Sequence, residues 1–171
     1  MKASELTSFE WKQIKFFKPK EFMGSQYRED PYTSMLPFLD VRVVWAIARL
    51  RRLCGQAMTP SPVRGAIART WKPESQHHIG GVREYSMAID LLVLEGSLKN
   101  VYDSAKDMRE IGGFGAYPEW KPNHGVHIDI RPHTRQAIWM AEKIKGKQVY
   151  LGLNWKRIKE LEALRTKSSD V

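Results

Sequence analysis

The chain has 171 residues, of which 42% are hydrophobic and 27% charged, and its formal net charge is +9. This length fits one domain, and the balance of apolar and charged residues excludes an intrinsically disordered chain. A single cysteine, Cys54, excludes an internal disulfide, and no stretch reaches the roughly 20 apolar residues that a membrane span requires. The positive charge attracts polyanions in general and selects no particular one.

The first 17 residues lack the apolar centre and small-residue cleavage site of a secretory signal. We therefore expect synthesis in the cytoplasm without a signal peptide. The basic residues are spread along the chain, and no nucleic-acid-binding motif accompanies them. Nucleic acid is accordingly not an expected partner.

The first half of the chain predicts one helix and two strands. In Leu39–Cys54, apolar residues recur at steps of three and four, which predicts a helix capped by Asp40. A strand is predicted at Val63–Ala68. A second strand is predicted at Met87–Leu94, where Asp90 interrupts a run of apolar residues.

The second half predicts three helices and one strand. Leu98–Glu110 has helical periodicity, and Val126–Ile130 alternates between apolar and polar residues as a strand does. Two more helices are predicted at Thr134–Ile144 and Trp155–Thr166. Together these elements predict an α+β fold with a small, mostly antiparallel sheet flanked by helices.

Asp90 is the first candidate functional residue. Burying an unpaired carboxylate in an apolar strand costs several kcal/mol, so Asp90 requires a partner. Structurally, that partner would be an arginine or the backbone of a neighbouring turn. Functionally, it would be a metal ion.

Four of the five histidines fall in two pairs, His77 with His78 and His124 with His127. Strand geometry puts His127 and Asp129 on one face, about 6–7 Å apart. Histidine is the commonest protein ligand for metals. Two imidazoles and one carboxylate, with a fourth position left to water, are typical of catalytic zinc sites, whereas structural zinc usually has four protein ligands.

Two sets of motifs resemble a known family. Residues 75–80, SQHHIG, followed by 86–90, SMAID, resemble the Ser-x-His-x-x-Gly-x-Ala-x-Asp signature of the zinc D-Ala-D-Ala carboxypeptidases and endopeptidases. Residues 112–118, GGFGAYP, and 126–131, VHIDIR, are similar to the end of one branch of that family. The resemblance covers roughly residues 17–140, in the family's order.

The resemblance implies zinc as cofactor, with His77, Asp90 and His127 as its ligands. It also implies that Arg69 binds the carbonyl or carboxylate of the substrate, a task that suits the planar guanidinium. Three residues of the motifs are further implied in substrate binding: Ser75, Tyr117 and Arg131.

The chain departs from the family signature between the first two ligands. Twelve residues separate His77 from Asp90, where the signature has six, so Gly81–Ser86 look inserted. The insertion leaves His78 as a rival ligand, although His77 keeps the register of the signature.

The resemblance implies a peptidase that cuts the peptide of bacterial peptidoglycan at or near D-Ala. His124 or Asp129 is the predicted general base, a choice that the sequence leaves open. Such a protein would act at the bacterial cell wall, as a phage endolysin or a virion-associated lytic protein. The alternative is a non-catalytic virion component that has kept the peptidase fold.

Three segments are predicted from the extent of the resemblance. Residues 1–16 form an N-terminal extension, residues 17–144 a zinc peptidase-like domain and residues 145–171 a C-terminal helical extension. The resemblance does not reach the two extensions, which are expected to pack on the domain or to contact other virion proteins.

Overall fold

A mixed sheet of six strands and four α-helices make up the described part of the chain in this computed structural model. The described residues are 1–22, 34–63, 65–70, 72–80 and 83–167, with side chains up to residue 164. Residue 64 of the first predicted strand, residues 81–82 of the predicted insertion and residues 168–171 of the predicted C-terminal extension lie outside them. The predicted α+β class is confirmed.

Among the described residues, neighbouring strands of the sheet run in the same direction at one place only. Their bounds are β1 Met58–Pro60, β2 Ala88–Val93, β3 Gly113–Tyr117, β4 Gly125–Asp129, β5 Ala137–Ile144 and β6 Lys147–Leu151. The order across the sheet is β1-β2-β4-β3-β5-β6. Each neighbouring pair is antiparallel except β3 with β5, which agrees with the predicted, mostly antiparallel sheet.

The helices are α1 Ser8–Ile14, α2 Val41–Cys54, α3 Leu98–Ala105 and α4 Trp155–Lys167. The carboxylate of Asp40 caps α2 by accepting the backbone N–H of Arg42 at 2.9 Å, as predicted. Gly55 ends α2 in the left-handed conformation, with φ of 66°. In the described ranges, no helix is long and apolar enough to cross a bilayer.

One face of the sheet carries the core. Phe114 of β3 and Ile128 of β4 belong to the same buried cluster as Ile47 of α2. The predicted N-terminal extension contributes Ile14 to this cluster, and α4 contributes Ile158. Alternate residues of the same strands point away from the core, and they build the site described below.

The predicted helix at Thr134–Ile144 is wrong, because this segment forms β5 and pairs with both β3 and β6. Met140 is buried in the core, while its neighbours along the strand face the other side of the sheet. Lys145 and Gly146, with φ of 51° and 77°, join β5 to β6. A two-residue turn with both φ values positive is the preferred connection of a β-hairpin.

The predicted strand at Val63–Ala68 is also wrong. Val63 is exposed, and Ala66 is buried in a turn outside the sheet. β1 already occupies the edge of the sheet beside β2, so the described residues of this segment add no strand there. The segment contacts β2 through a hydrogen bond from the N–H of Asp90 to the carbonyl of Ala66, at 2.8 Å.

The helix predicted at Leu98–Glu110 is α3, and it ends at Ala105 rather than at Glu110. The N–H of Met108 donates to the carbonyl of Ala105, and the N–H of Ile111 donates to the carbonyl of Met108, both at 3.1 Å. These three-residue turns replace the α-helical pattern and bring Met108 and Ile111 into the core.

Candidate metal centre

Four residues in register form a row across the sheet, on the face opposite the core. Asp90 of β2 pairs with His127 of β4, which pairs with Gly115 of β3, which in turn pairs with Trp139 of β5. Residues paired in register point to the same face. The sheet therefore brings two of the predicted ligands, Asp90 and His127, side by side.

The third predicted ligand, His77, reaches this row from a loop. The N–H of Arg69 donates to the carbonyl of His77, and the N–H of Ile79 donates to the carbonyl of Arg69, both at 2.9 Å. The N–H of His77 donates to Oγ of Ser75 at 3.2 Å. These bonds turn His77 inward, so that it joins Asp90 and His127, whereas His78 does not.

The predicted insertion leaves this loop intact. The N–H of Gly80 donates to the carbonyl of Arg83 at 2.7 Å, and the N–H of Arg83 donates back at 3.2 Å. Nη1 of Arg83 also donates to the carbonyl of Ser75 at 2.9 Å. Arg83 therefore lies close to Gly80 and Ser75, so the chain is again beside the His77 loop before β2 begins.

Three ligand atoms converge at the centre of the site. Nδ1 of His127 lies 2.9 Å from Oδ1 of Asp90 and 3.0 Å from Nε2 of His77. Nε2 of His77 lies 3.2 Å from Oδ1 of Asp90. A tetrahedral ion with ligands at about 2.0 Å has ligand atoms roughly 3.3 Å apart, close to these distances.

The outer nitrogens of both imidazoles face acceptors. Nε2 of His127 lies 3.0 Å from Oδ2 of Asp129, and Nδ1 of His77 lies 3.4 Å from the carbonyl of Ile67. With the proton on each outer nitrogen, these contacts are hydrogen bonds and each inner nitrogen has a lone pair for a metal ion. Together with the Asp90 carboxylate, the two inner nitrogens are positioned to hold such an ion.

Asp129 is enclosed behind His127. Its side chain is 0% exposed. It accepts hydrogen bonds from Nε of Arg131, at 2.8 Å, and from Nη2 of the same guanidinium. Gly113 makes room for it, because a Cβ at Gly113 would overlap the Asp129 carboxylate. Both oxygens of Asp129 are thus engaged with Arg131 and His127, which argues against the predicted role of general base and favours a role in orienting His127.

The structure does not bring His124, the other predicted base, to the metal centre. Nδ1 of His124 lies 3.2 Å from Oε1 of Glu162 on α4. Strand alternation explains the separation: a residue three positions before His127 points to the opposite face of the sheet.

A pocket of about 310 Å³ opens beside the ligands, with His77 and His127 in its wall. The other predicted site residues that line it are Arg69, Ser75, Tyr117 and Arg131. Five further residues that the sequence did not indicate also line it: Lys72, Glu74, Gln76, Trp139 and Tyr150.

Trp139 was missed because its segment was predicted as a helix. The centroid of its ring lies 5.1 Å from that of His127. The indole also covers Gly115, where a Cβ would lie 2.5 Å from the ring. The available signal was the alternation along Ile138–Ala141, in which Ile138 and Met140 pack on the core and the intervening residues do not.

Burial and partners move the pKa values of the cluster in different directions. Burial lowers the pKa of His77 and outweighs the attraction of Asp90. Burial also opposes the charged form of His127, but hydrogen bonds to Asp129 and Asp90 prevail and raise its pKa. Burial opposes ionisation of both carboxylates, yet the imidazoles hold the pKa of Asp90 low, and Arg131 with His127 holds that of Asp129 low. Asp90 and Asp129 therefore both carry a negative charge at neutral pH.

Comparison of the chain with protein-family models, with curated proteins and with solved structures finds no match. The interpretation of the site therefore depends on its own geometry and on the resemblance of its motifs. The geometry by itself supports a metal centre formed by His77, Asp90 and His127.

Proposed function

We propose that this chain is a zinc-dependent peptidase with a hedgehog/D-Ala-D-Ala-peptidase-like fold, and that it hydrolyses the peptide of bacterial peptidoglycan at or near D-Ala. One observation carries the proposal: the inner nitrogens of His77 and His127 converge with Asp90 within 3.2 Å. Two imidazoles and one carboxylate form a ligand set of catalytic zinc. The proposed place of action is the bacterial cell wall, as an endolysin or a virion-associated protein.

Zinc in such a site would act as a Lewis acid and would lower the pKa of a water molecule to near 7. The residues around it have separate tasks in the proposed reaction. Asp129 holds the imidazole of His127 in the required tautomer and orientation. Arg69, in the pocket wall, offers a guanidinium that can bind a substrate carboxylate or carbonyl. Burial raises the pKa of Tyr117 well above 10, so its hydroxyl stays protonated and can donate to the substrate.

Hydrolysis also needs a group that transfers protons within the pocket. His124 contacts Glu162 elsewhere, and Asp129 is enclosed behind a ligand. Among the described residues that line the pocket, Glu74 is the only one with a carboxylate. The proposal therefore assigns proton transfer to Glu74, and Glu74→Gln should lower kcat by roughly 10²–10⁴-fold while zinc content is unchanged.

The first experiment measures zinc per chain by elemental mass spectrometry and the products released from purified peptidoglycan. Wild type should hold one zinc and release peptide fragments, whereas Asp90→Asn and His127→Ala should lose both properties. Asp103→Asn is the matched control, because Asp103 forms exposed ion pairs with Lys99 and Lys106. Absence of zinc in the wild type after incubation with the ion overturns the metal centre. Bound zinc without cleavage overturns the peptidase and favours the non-catalytic virion component.

A further inference from the structure

Two aromatic residues of the β5–β6 hairpin face the pocket, although the hairpin carries none of the three ligands. Trp139 and Ala141 lie two positions apart on β5, so they point to the same face. Ala141 pairs directly with Tyr150 of β6, which therefore shares that face. Trp139 and Tyr150 both line the pocket, and we name this pair the aromatic wall.

The two rings of the aromatic wall differ in how firmly they are held. Trp139 is half-buried and packs on Gly115 beside His127, so its ring has little freedom. Tyr150 is 56% exposed and stands at the outer rim. A single exposed aromatic residue is ordinary on a protein surface. A rigid ring and an exposed ring that line one pocket beside a metal centre are typical of a binding surface for an apolar group.

Four charged residues also line the pocket. Arg69 and Lys72 line it from the loop side, together with Glu74. The guanidinium of Arg131 is engaged with Asp129. A ligand that fits this arrangement has a carboxylate toward the loop and an apolar part toward the hairpin.

We infer that the aromatic wall, Trp139 with Tyr150, binds the aliphatic part of a short peptide whose carboxylate faces Arg69 and Lys72. This inference assigns two specificity-determining residues to the site and rests on the proposed function for the substrate and the reaction. By that function the peptide ends in D-Ala, which combines a methyl side chain with a carboxylate. The binding itself needs no turnover.

The wall is a determinant of specificity and takes no part in bond cleavage. Tyr150 lies at the rim, so its contacts with the peptide are the same before and during the reaction. Contacts of that kind change KM and leave kcat nearly unchanged. Tyr150→Ala should raise KM and Kd about tenfold, whereas Tyr150→Phe, which keeps the ring, should stay close to wild type.

The experiment titrates acetyl-D-Ala-D-Ala into the zinc-loaded protein by calorimetry, which registers binding with or without hydrolysis. Leu151→Ala is the matched control, because Leu151 is 39% exposed and follows Tyr150 on the same strand, on the opposite face. The amide of the peptide, which lacks the carboxylate, should bind more weakly to wild type and to Tyr150→Ala by the same factor. Trp139→Phe, with its fold checked by thermal melting, should weaken binding in the same direction.

The outcomes separate this inference from the proposed function. Binding that depends on Tyr150 but not on Leu151 supports the aromatic wall, even where no hydrolysis follows and the peptidase is overturned. Equal affinities for Tyr150→Ala and Leu151→Ala overturn the wall, even where hydrolysis is observed. Failure of the wild type to bind the peptide at millimolar concentration also overturns it.

Discussion

The metal centre has two halves that the chain builds by different means. In the strand half, Asp90 and His127 face each other across β2 and β4, where the ladder of backbone hydrogen bonds fixes their separation. In the loop half, His77 is held by hydrogen bonds with Arg69 and Ser75, and Arg69 is in turn bonded to Ile79. The strand half is therefore pre-formed by the fold. The loop half has no such ladder and depends on these few hydrogen bonds.

Loss of a ligand from the strand half should have the largest effect. Asp90→Asn removes the negative charge next to both inner nitrogens while it preserves the shape of the side chain. We expect zinc affinity to fall by more than the roughly 10–100-fold that follows loss of an outer hydrogen-bond partner of a metal ligand. Titration against a competing chelator measures the change, with Asp103→Asn as control. Wild-type affinity in Asp90→Asn would refute the assignment of this half.

Loss of the outer partner in the same half should have an intermediate effect. In Asp129→Asn, an amide replaces the charged acceptor of His127 and the partner of Arg131. We expect zinc affinity to fall roughly 10–100-fold, with the fold retained. The same chelator titration measures it. If Asp129 were instead the general base, kcat would fall while zinc affinity stayed at the wild-type value.

Gly113 provides a test of how tightly the Asp129 carboxylate is enclosed behind the strand half. In Gly113→Ala the new methyl group would overlap the Asp129 carboxylate, so that carboxylate or the strand must shift. We expect a loss of about 1–3 kcal/mol in the free energy of unfolding, measured with a chemical denaturant. Gly152→Ala is the control, because no atom lies within 4 Å of its added Cβ. Equal stability of the two variants would show that Asp129 is not tightly enclosed.

The strand half is also the part that sequence reasoning predicts best. Asp90 interrupts an apolar strand, and His127 alternates with apolar residues on another, so local patterns alone indicate both. Their direct pairing depends on strand order and register, which no local pattern contains. The choice between His77 and His78 stayed open for a similar reason, because it depends on loop contacts with Arg69 that only the folded chain supplies.

The outer pocket was less predictable than the ligands. Ala137, Ile138 and Ala141 occur at the spacing of one helical face, and the helical interpretation hid Trp139. The Lys145-Gly146 turn was the local signal for a hairpin. The geometry argues against His124 and Asp129 as bases, and spacing along the sequence does not state which face of a strand a residue occupies or which partners engage it.

The two halves should also respond differently to pH, which is the smallest of the expected effects. In the metal-free protein, the pKa of His127 is raised above 6.5 by Asp129 and Asp90, whereas burial lowers the pKa of His77 below 6.5. Proton binding by His127 thus stabilises the metal-free fold below pH 6.5, and this contribution is lost as the pH rises through its folded pKa. Burial of neutral His77 acts in the opposite sense, since stability falls as the pH drops through 6.5.

Zinc must displace the proton of His127, so zinc affinity should continue to rise with pH above 6.5, until the pKa of His127 is passed. An imidazole NMR titration of the metal-free protein, with zinc affinity measured at each pH, tests both statements. Two histidines that titrate together near 6.5 would mean that the strand and loop halves give their ligands the same surroundings. Separate titrations, with His127 above and His77 below, would mean that Asp90 and Asp129 control the pH at which the site accepts its metal.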